Sequence, residues 1–280
     1  MVKIVTDSTA YFEDGEAESL GVKVVPLYVK SNGVSFREGI DISDDEFYRR
    51  LGSGEVFETS QPSPQDFLAV YKPIIEQGDE IVSIHISSKL SGTVNSANLA
   101  KGLLKTDKIT VVDSLSSSTD LLYKVQKAVE LAKAGASRED IASFIDDYYK
   151  KVFGYFLPMN IDYLARGGRI NNFEKTISNI MKLYFIVHLN EGRIDLLKIS
   201  RTERGAKDEL LNLVSKFGNS KGGIAQVSTI YGGNVHGGEN YRKIVEDYFS
   251  MPVQKRRVGP VLGSHLGPEF LGIAFITKEA

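Results

Sequence analysis

The chain has no cysteine and no tryptophan among its 280 residues, only four histidines and eight prolines, and no long apolar run. Without cysteine there is no disulfide, no thiolate nucleophile, no cysteine-ligated zinc and no cysteine-held iron–sulfur cluster. His85, His188, His236 and His265 lie far apart, and none has a second histidine at ligand spacing, so the sequence does not support a metal centre. Neither sign of charge is in surplus: 34 Lys and Arg stand against 36 Asp and Glu, a formal net charge of −2. Proteins that grip nucleic acid or an anionic membrane usually carry a basic surplus or stripe, so the balance points to a small molecule or a protein as partner. No apolar stretch approaches the roughly 20 residues of a membrane span. The amino terminus turns polar by Thr6 and Asp7, unlike a secretory leader, and a soluble cytoplasmic protein is expected. The phosphate loop, the H-E-x-x-H helix, the G-x-S-x-G elbow and the calcium loop are also missing.

What is present is a chain long enough for about two domains, each able to bury a core. Apolar runs at 3–6, 22–29, 80–86 and 108–112 read as buried strands, each followed by polar residues and a segment of helical period. That alternation predicts a mostly parallel sheet with covering helices. Helix starts are marked by Ser43 with Glu46, Ser137 with Asp140, and Ser63 before Pro64. After about Tyr149 the pattern changes: 184–189 and 193–200 flank Asn190-Glu-Gly192 as a hairpin. Strands at 223–231, 252–258 and 270–277 and helices at 203–217 and 239–249 complete an α+β part with a mixed or antiparallel sheet. The predicted division is therefore an α/β domain over 1–152 and an α+β domain over 153–280, with 59–78 able to pack with the second. A cleft between two such domains is the usual place for a ligand.

Chemistry-bearing residues collect in small polar segments at predicted strand ends. Thr59-Ser-Gln-Pro-Ser63 precedes a helix, and Ser87-Ser-Lys-Leu-Ser-Gly-Thr93 leads into a helix predicted over 93–104. Ligands of open parallel sheets gather at the carboxyl ends of the strands, where helix N-termini offer unsatisfied N–H groups to an anion. Taken alone, Ser91-Gly-Thr93 is more often a plain cap and turn. His265 stands among glycines and prolines in Gly259-Pro-Val-Leu-Gly-Ser-His-Leu-Gly-Pro268, a segment read as a tight loop, where a histidine near its ordinary pKa of ~6.5 donates a hydrogen bond or carries a proton. A turn-capping role accounts for it equally well. Arg201, between a strand and a helix, has the fork geometry for a carboxylate. Ala165-Arg-Gly-Gly-Arg-Ile170 is a glycine-hinged basic loop suited to a phosphate or a partner, or simply a solvated turn.

Taken in order, Val5-Thr-Asp-Ser-Thr9, Thr59-Ser-Gln-Pro-Ser63, Ser87-Ser-Lys-Leu-Ser-Gly-Thr93, Val112-Asp-Ser114, Tyr163-Leu-Ala-Arg-Gly-Gly-Arg-Ile170, Arg201-Thr202 and His265-Leu-Gly-Pro268 resemble the DegV family over nearly the whole chain. The resemblance implies a two-domain α/β protein that holds one long-chain fatty acid in a tunnel. In some members this protein is the acyl-binding, non-catalytic subunit of a bacterial fatty acid kinase, working with a separate ATP-binding subunit that resembles dihydroxyacetone kinase. Position by position, Thr59 and Ser91 match the hydroxyls on the carboxylate, with Ser60, Gly92 and Thr93 adjoining. Arg201 and His265 match the surrounding hydrogen-bond network, and Arg166 and Arg169 the partner-contacting loop. No cofactor is implied beyond the fatty acid itself.

The chain departs from the family pattern at Asp120 and Leu122, where glycines are usual, at Phe185, where a proline is usual, and at Glu269 and Phe270, where small residues are usual. Bulkier residues at these places would shorten or re-route a tunnel. Two other functions fit the residues: a serine hydrolase with Ser91 as nucleophile, His265 as base and Asp7 as orienting acid, and a ligand-free regulatory protein.

Overall fold

The computed structural model describes residues 1–169 and 183–279. In chain order they form β1 (Val2–Asp7), a 3-10 turn (Ser8–Ala10), α1 (Glu16–Leu20), β2 (Lys23–Val25), β3 (Tyr28–Ser31), β4 (Val34–Arg37) and α2 (Asp44–Gly52). Next come β5 (Glu58–Ser60), α3 (Pro64–Glu76), β6 (Glu80–His85), α4 (Thr93–Leu104), β7 (Ile109–Asp113), α5 (Ser118–Lys133) and α6 (Arg138–Tyr148). The remainder is β8 (Val152–Pro158), α7 (Asp162–Gly167), β9 (Tyr184–Asn190), β10 (Arg193–Ser200), α8 (Glu203–Ser220), β11 (Ile224–Tyr231), α9 (Val235–Phe249), β12 (Val253–Arg257), α10 (Pro260–Leu266) and β13 (Phe270–Thr277). These elements make two units, Met1–Ile42 with Glu58–Tyr149, and Ser43–Phe57 with Lys150–Ala280. Residues 59–78 thus lie in the first unit, and it is α2 that crosses to the second.

The first unit is built on a parallel sheet of order β2-β1-β6-β7. Side chains alternate across a strand, so neighbours on β1 face different cores. Ile4 joins Val82, Ile84 and Val112 under Leu121, Leu122 and Val125 of α5 and Ile141 and Ile145 of α6. Val5 joins Ile81 and Ile109 against Phe67, Tyr71 and Ile74 of α3 and Ala97 and Ala100 of α4. Burying each large side chain of this set contributes roughly 1.5–3 kcal/mol, which is why both faces of the sheet must be covered. Helix starts are capped as their sequence signals require: Ser63 and Asp66 exchange bonds as a capping box behind Pro64, and Ser43 and Ser137 accept the N–H of Glu46 and Asp140.

The run 22–29, read as one strand, is two. Pro26 has no N–H to give a ladder, and the next donor, Leu27 N, goes to Ser8 Oγ at 3.0 Å. The chain leaves the parallel sheet there, and β3 joins a small antiparallel sheet of order β4-β3-β5. That sheet takes Thr59 and Ser60 into β5, opposite Val29 and Tyr28.

The second unit carries a six-stranded mixed sheet of order β10-β9-β8-β13-β11-β12, antiparallel except for β11 with β12. Tyr155, Leu157, Ile186, Val227, Ile273 and Phe275 pack beneath Leu210, Leu211 and Val214 of α8 and Tyr241 and Val245 of α9. Helix α9 starts at Val235, earlier than the predicted 239, running through a glycine pair that reads as a helix breaker. Space explains Gly238: a Cβ there would stand 2.5 Å from the Tyr231 ring, so close helix–strand packing excludes any other residue. Helix α2 packs on α10, and Tyr48 donates its hydroxyl to Val258 O at 2.8 Å.

Candidate functional site

In the first unit the hydroxyl-bearing segments meet at the carboxyl edge of the parallel sheet. Strand β6 ends at His85, and the following turn is closed by Leu90 N and Ser91 N, both donating to Ser87 O, at 3.0 and 3.1 Å. The N-cap of α4 is Gly92, which offers no side-chain acceptor, so the first N–H groups of this twelve-residue helix receive none from their cap. Ser91 Oγ and Thr93 Oγ1 lie 2.9 Å apart across that glycine. Thr59 and Ser60, half-buried on β5, run directly into Gln61, whose amide lies against Gly92. A Cβ on Gly92 would be 2.5 Å from Gln61 Nε2 and Oε1, so a glycine is needed for the two segments to approach. Thus Thr59, Ser60, Ser91, Gly92 and Thr93 belong to one neighbourhood of the first unit, at a helix terminus whose dipole favours an anion.

The second unit holds His265, Arg166, Arg169 and Arg201. The segment around His265 is a short helix rather than a loop, because extended Gly259 and Pro260 at the first helical position start it and Gly267, at φ 87°, ends it. His265 lies in its last turn with its ring seated on α7: a Cβ on Gly167 would be 2.4 Å from His265 Nδ1. Burial, helped by the nearby positive charge of Arg169, pushes the imidazole down to about 4, below the ordinary value assumed from sequence. It is therefore neutral at pH 7 and serves as a hydrogen-bonding group rather than a cation. The basic segment read as a loop is largely helix α7, with Gly168 at φ 64° as its cap. Arg166 is exposed, lies 4.6 Å over the Tyr163 ring, and donates to Asp162 O; Arg169, also exposed, donates to Gly167 O. Ile170 falls outside the described residues. Arg201 is exposed in the turn between β10 and α8, beside Thr202, which caps α8.

Two polar clusters escaped the sequence reading. Asp7, offered there as a partner for His265, is wholly buried in the first unit and serves other groups. Its Oδ2 lies 3.1 Å from His85 Nδ1 and accepts Ile86 N at 2.8 Å, while Oδ1 accepts Thr9 N and Thr9 Oγ1. His85 Nε2 is 2.6 Å from Ser83 Oγ, which accepts the Tyr71 hydroxyl at 2.7 Å. An acid–imidazole–hydroxyl series results, and Asp7, Ser83 and His85 are all 0% exposed, its groups bonded to one another inside the first unit. The signal was a Ser-x-His pair on one strand face, and it becomes readable only with the register that sets Thr6 beside Ile84.

The second cluster is Asp120 and Lys124 on α5, where the resemblance leads one to expect a glycine at 120. Lys124 Nζ donates to Ser114 O at 2.5 Å and Ser116 Oγ at 2.6 Å, and Asp120 Oδ1 is buried without a partner. Burial lifts the Asp120 carboxyl and lowers the Lys124 ammonium, each to about 7, against their mutual attraction. Of the other departures, Leu122 is buried in the core under α5, Phe185 is buried on β9, Glu269 is exposed, and Phe270 is buried at the start of β13.

The fold and these segments define an α/β protein of two units whose first unit gathers hydroxyls at an uncapped helix start. Among the described residues no helix is long and apolar enough to cross a membrane, and no cluster of three His, Asp or Glu could hold a metal ion. The chain belongs to the DegV family: the family profile, described as an uncharacterised protein of that family, matches residues 1–278. A DegV domain-containing protein of Listeria innocua is 34% identical over 284 residues, covering 99% of both chains. A solved DegV family protein of Thermus thermophilus, described by its fatty acid binding, superposes with TM-score 0.89 at 31% identity over 99% of each chain. A stearic acid-binding protein of Eubacterium ventriosum superposes with TM-score 0.92 at 27% identity, again over 99% of each.

Proposed function

We propose that this protein binds one long-chain fatty acid, with Thr59 and Ser91 hydroxyls on its carboxylate. The observation that carries the reading is the meeting of the Thr59 segment with Ser91 and Thr93 at the uncapped start of α4, through the contact of Gln61 on Gly92. A fatty acid is ionised at neutral pH, so its head needs several donors and its tail an apolar sleeve. Hydroxyls and backbone N–H groups supply the first without the desolvation cost of a buried cation. Tail burial at ~0.8 kcal/mol per CH₂ gives a fifteen-carbon chain on the order of 10 kcal/mol gross, so the tail dominates affinity and the hydroxyls fix the head. The relatives described as binding a fatty acid or stearic acid support the same ligand class.

The protein is non-catalytic in this reading and presents the carboxylate to a separate ATP-binding kinase subunit, with Arg166 and Arg169 on the partner-facing surface. Asp7's commitment to Thr9, His85 and Ile86 counts against its use in a hydrolase with Ser91. Calorimetric titration with palmitate is the test. Ser91→Ala and Thr59→Ala should each weaken binding by about 0.5–3 kcal/mol, the range for one hydrogen bond to a neutral or charged acceptor. Unchanged affinity in both variants would put the head group elsewhere. ATP and Mg²⁺ should yield no acyl phosphate with this chain alone, and product formed without an added subunit would overturn the non-catalytic assignment.

A further inference from the structure

The turn that presents Ser91 is held from behind by a buried loop. Residues 114–117 join β7 to α5, and Ser114, Ser116, Ser117, Ser118 and Thr119 are all at most 4% exposed. Its backbone is strained at Leu115, φ 52°, and again where it enters α5 at Ser118, φ 56°, neither of them glycine. It is tied to the head-group turn by backbone bonds: Ser114 N donates to His85 O, and Ser87 N donates to Ser116 O at 2.9 Å. The same Ser87 supplies the carbonyl that accepts Ser91 N. Two side chains hold it further: Asp113 Oδ1 accepts Leu115 N and Ser88 N, each at 3.1 Å, and Lys124 Nζ, 0% exposed, donates to both Ser114 O and Ser116 Oγ.

We propose that Lys124 is a positioning residue for ligand binding, its buried ammonium fixing the 114–117 loop and, through Ser116 and Ser87, the Ser91 hydroxyl. This inference rests on the head-group reading above. The groups facing Lys124 can be named from each side: Asp120 on its own helix, Asp113 at the end of β7, Asp146 on α6, and the Tyr149 ring 6.0 Å away at the cap of α6. Asp7 and His85, on the β1 and β6 strands that α5 also packs against, are bound to each other. Asp120 is the buried one of these acids, its Oδ1 has no hydrogen-bond partner, and once its raised carboxyl has ionised its charge acts on Lys124 through space. Raising the pH through neutrality removes the Lys124 proton, turning two charge-assisted bonds into ordinary ones and loosening the loop. The fatty acid and His265 keep their charge in that range, whereas Asp120, its carboxyl raised by burial, gives up its own proton there and is charged on the alkaline side, where the Lys124 proton is lost.

The experiment is calorimetric titration of the full chain with palmitate from pH 6 to 9, beside Lys124→Gln, Asp120→Asn and Ser91→Ala, each checked for folding by circular dichroism. The native protein should lose affinity as pH rises through neutrality. Lys124→Gln should bind roughly three- to ten-fold more weakly at pH 6 and show no such fall, the size expected for a lost charged donor acting at one remove. Asp120→Asn keeps the shape but removes the charge that holds the proton, so its fall should move to lower pH. A purely structural lysine would not shift that midpoint, and this variant carries the test if Lys124→Gln fails to fold. Native affinity and profile in Lys124→Gln, or an unmoved midpoint in Asp120→Asn, with Ser91→Ala still impaired, would overturn the proposal and leave the head-group reading standing. Unchanged binding in all three would overturn both.

Discussion

Gly167→Ala is the sharpest perturbation of the second unit. Gly167 ends α7 with an ordinary negative φ, so alanine suits the backbone and gains about 1 kcal/mol of helix propensity. Space opposes the change: the new methyl carbon would stand 2.4 Å from His265 Nδ1 and 3.2 Å from Cε1. Carbon contacts settle near 3.5–4.0 Å, so the ring must move by about an ångström, an overpacking cost of roughly 1–3 kcal/mol. The net expectation is a stability loss of about 0–2 kcal/mol by urea unfolding. The neighbouring glycine is the control. Gly168 has φ 64° and nothing within 4 Å of a Cβ, so Gly168→Ala should cost about 1 kcal/mol through backbone conformation alone, whether or not the His265 ring is present. A double-mutant cycle completes the test, since in a His265→Ala background Gly167→Ala should become neutral or stabilising. The same stability change with and without the His265 ring would mean that the new methyl does not press on the imidazole.

Two further predictions concern protonation and capping. Because folding holds His265 near 4 while the unfolded chain titrates near 6.5, the unfolded state binds the extra proton between those values, and stability falls as the pH drops through that window. Urea midpoints from pH 7 to 4 should fall less steeply in His265→Asn, and an identical slope would mean the ring is not desolvated. Ser63→Ala removes both the acceptor for Asp66 N and one partner of its carboxylate, which should cost about 1 kcal/mol in thermal unfolding; no change would show that the cap is replaced by water.

What the sequence disclosed and what it hid divide along physical lines. Period and caps are local, so Thr93–Leu104, Phe270–Thr277 and the hairpin at Asn190-Glu-Gly192 could be read directly. Pro26 was visible in the sequence, but only the new partner of Leu27 shows that the chain changes sheets there. Gly238 looks like a breaker until Tyr231 is set beneath it. His265 seemed loop-borne because glycine and proline punctuate its segment, yet the same residues start and stop a short helix. The buried polar clusters were the least legible, since Asp7 with His85 depends on strand register and Lys124 with Ser116 on a loop folding back over its own helix. Lys124 belongs to a polar run on α5 yet is wholly buried, while Lys127 lies nearer the surface.

Native mass spectrometry of protein purified from a bacterial host reads the proposed fatty acid itself. One long-chain fatty acid per chain, released on denaturation and lost or diminished in Ser91→Ala with Thr59→Ala, is the predicted result. A native protein that stays unliganded after incubation with saturating palmitate would contradict the account.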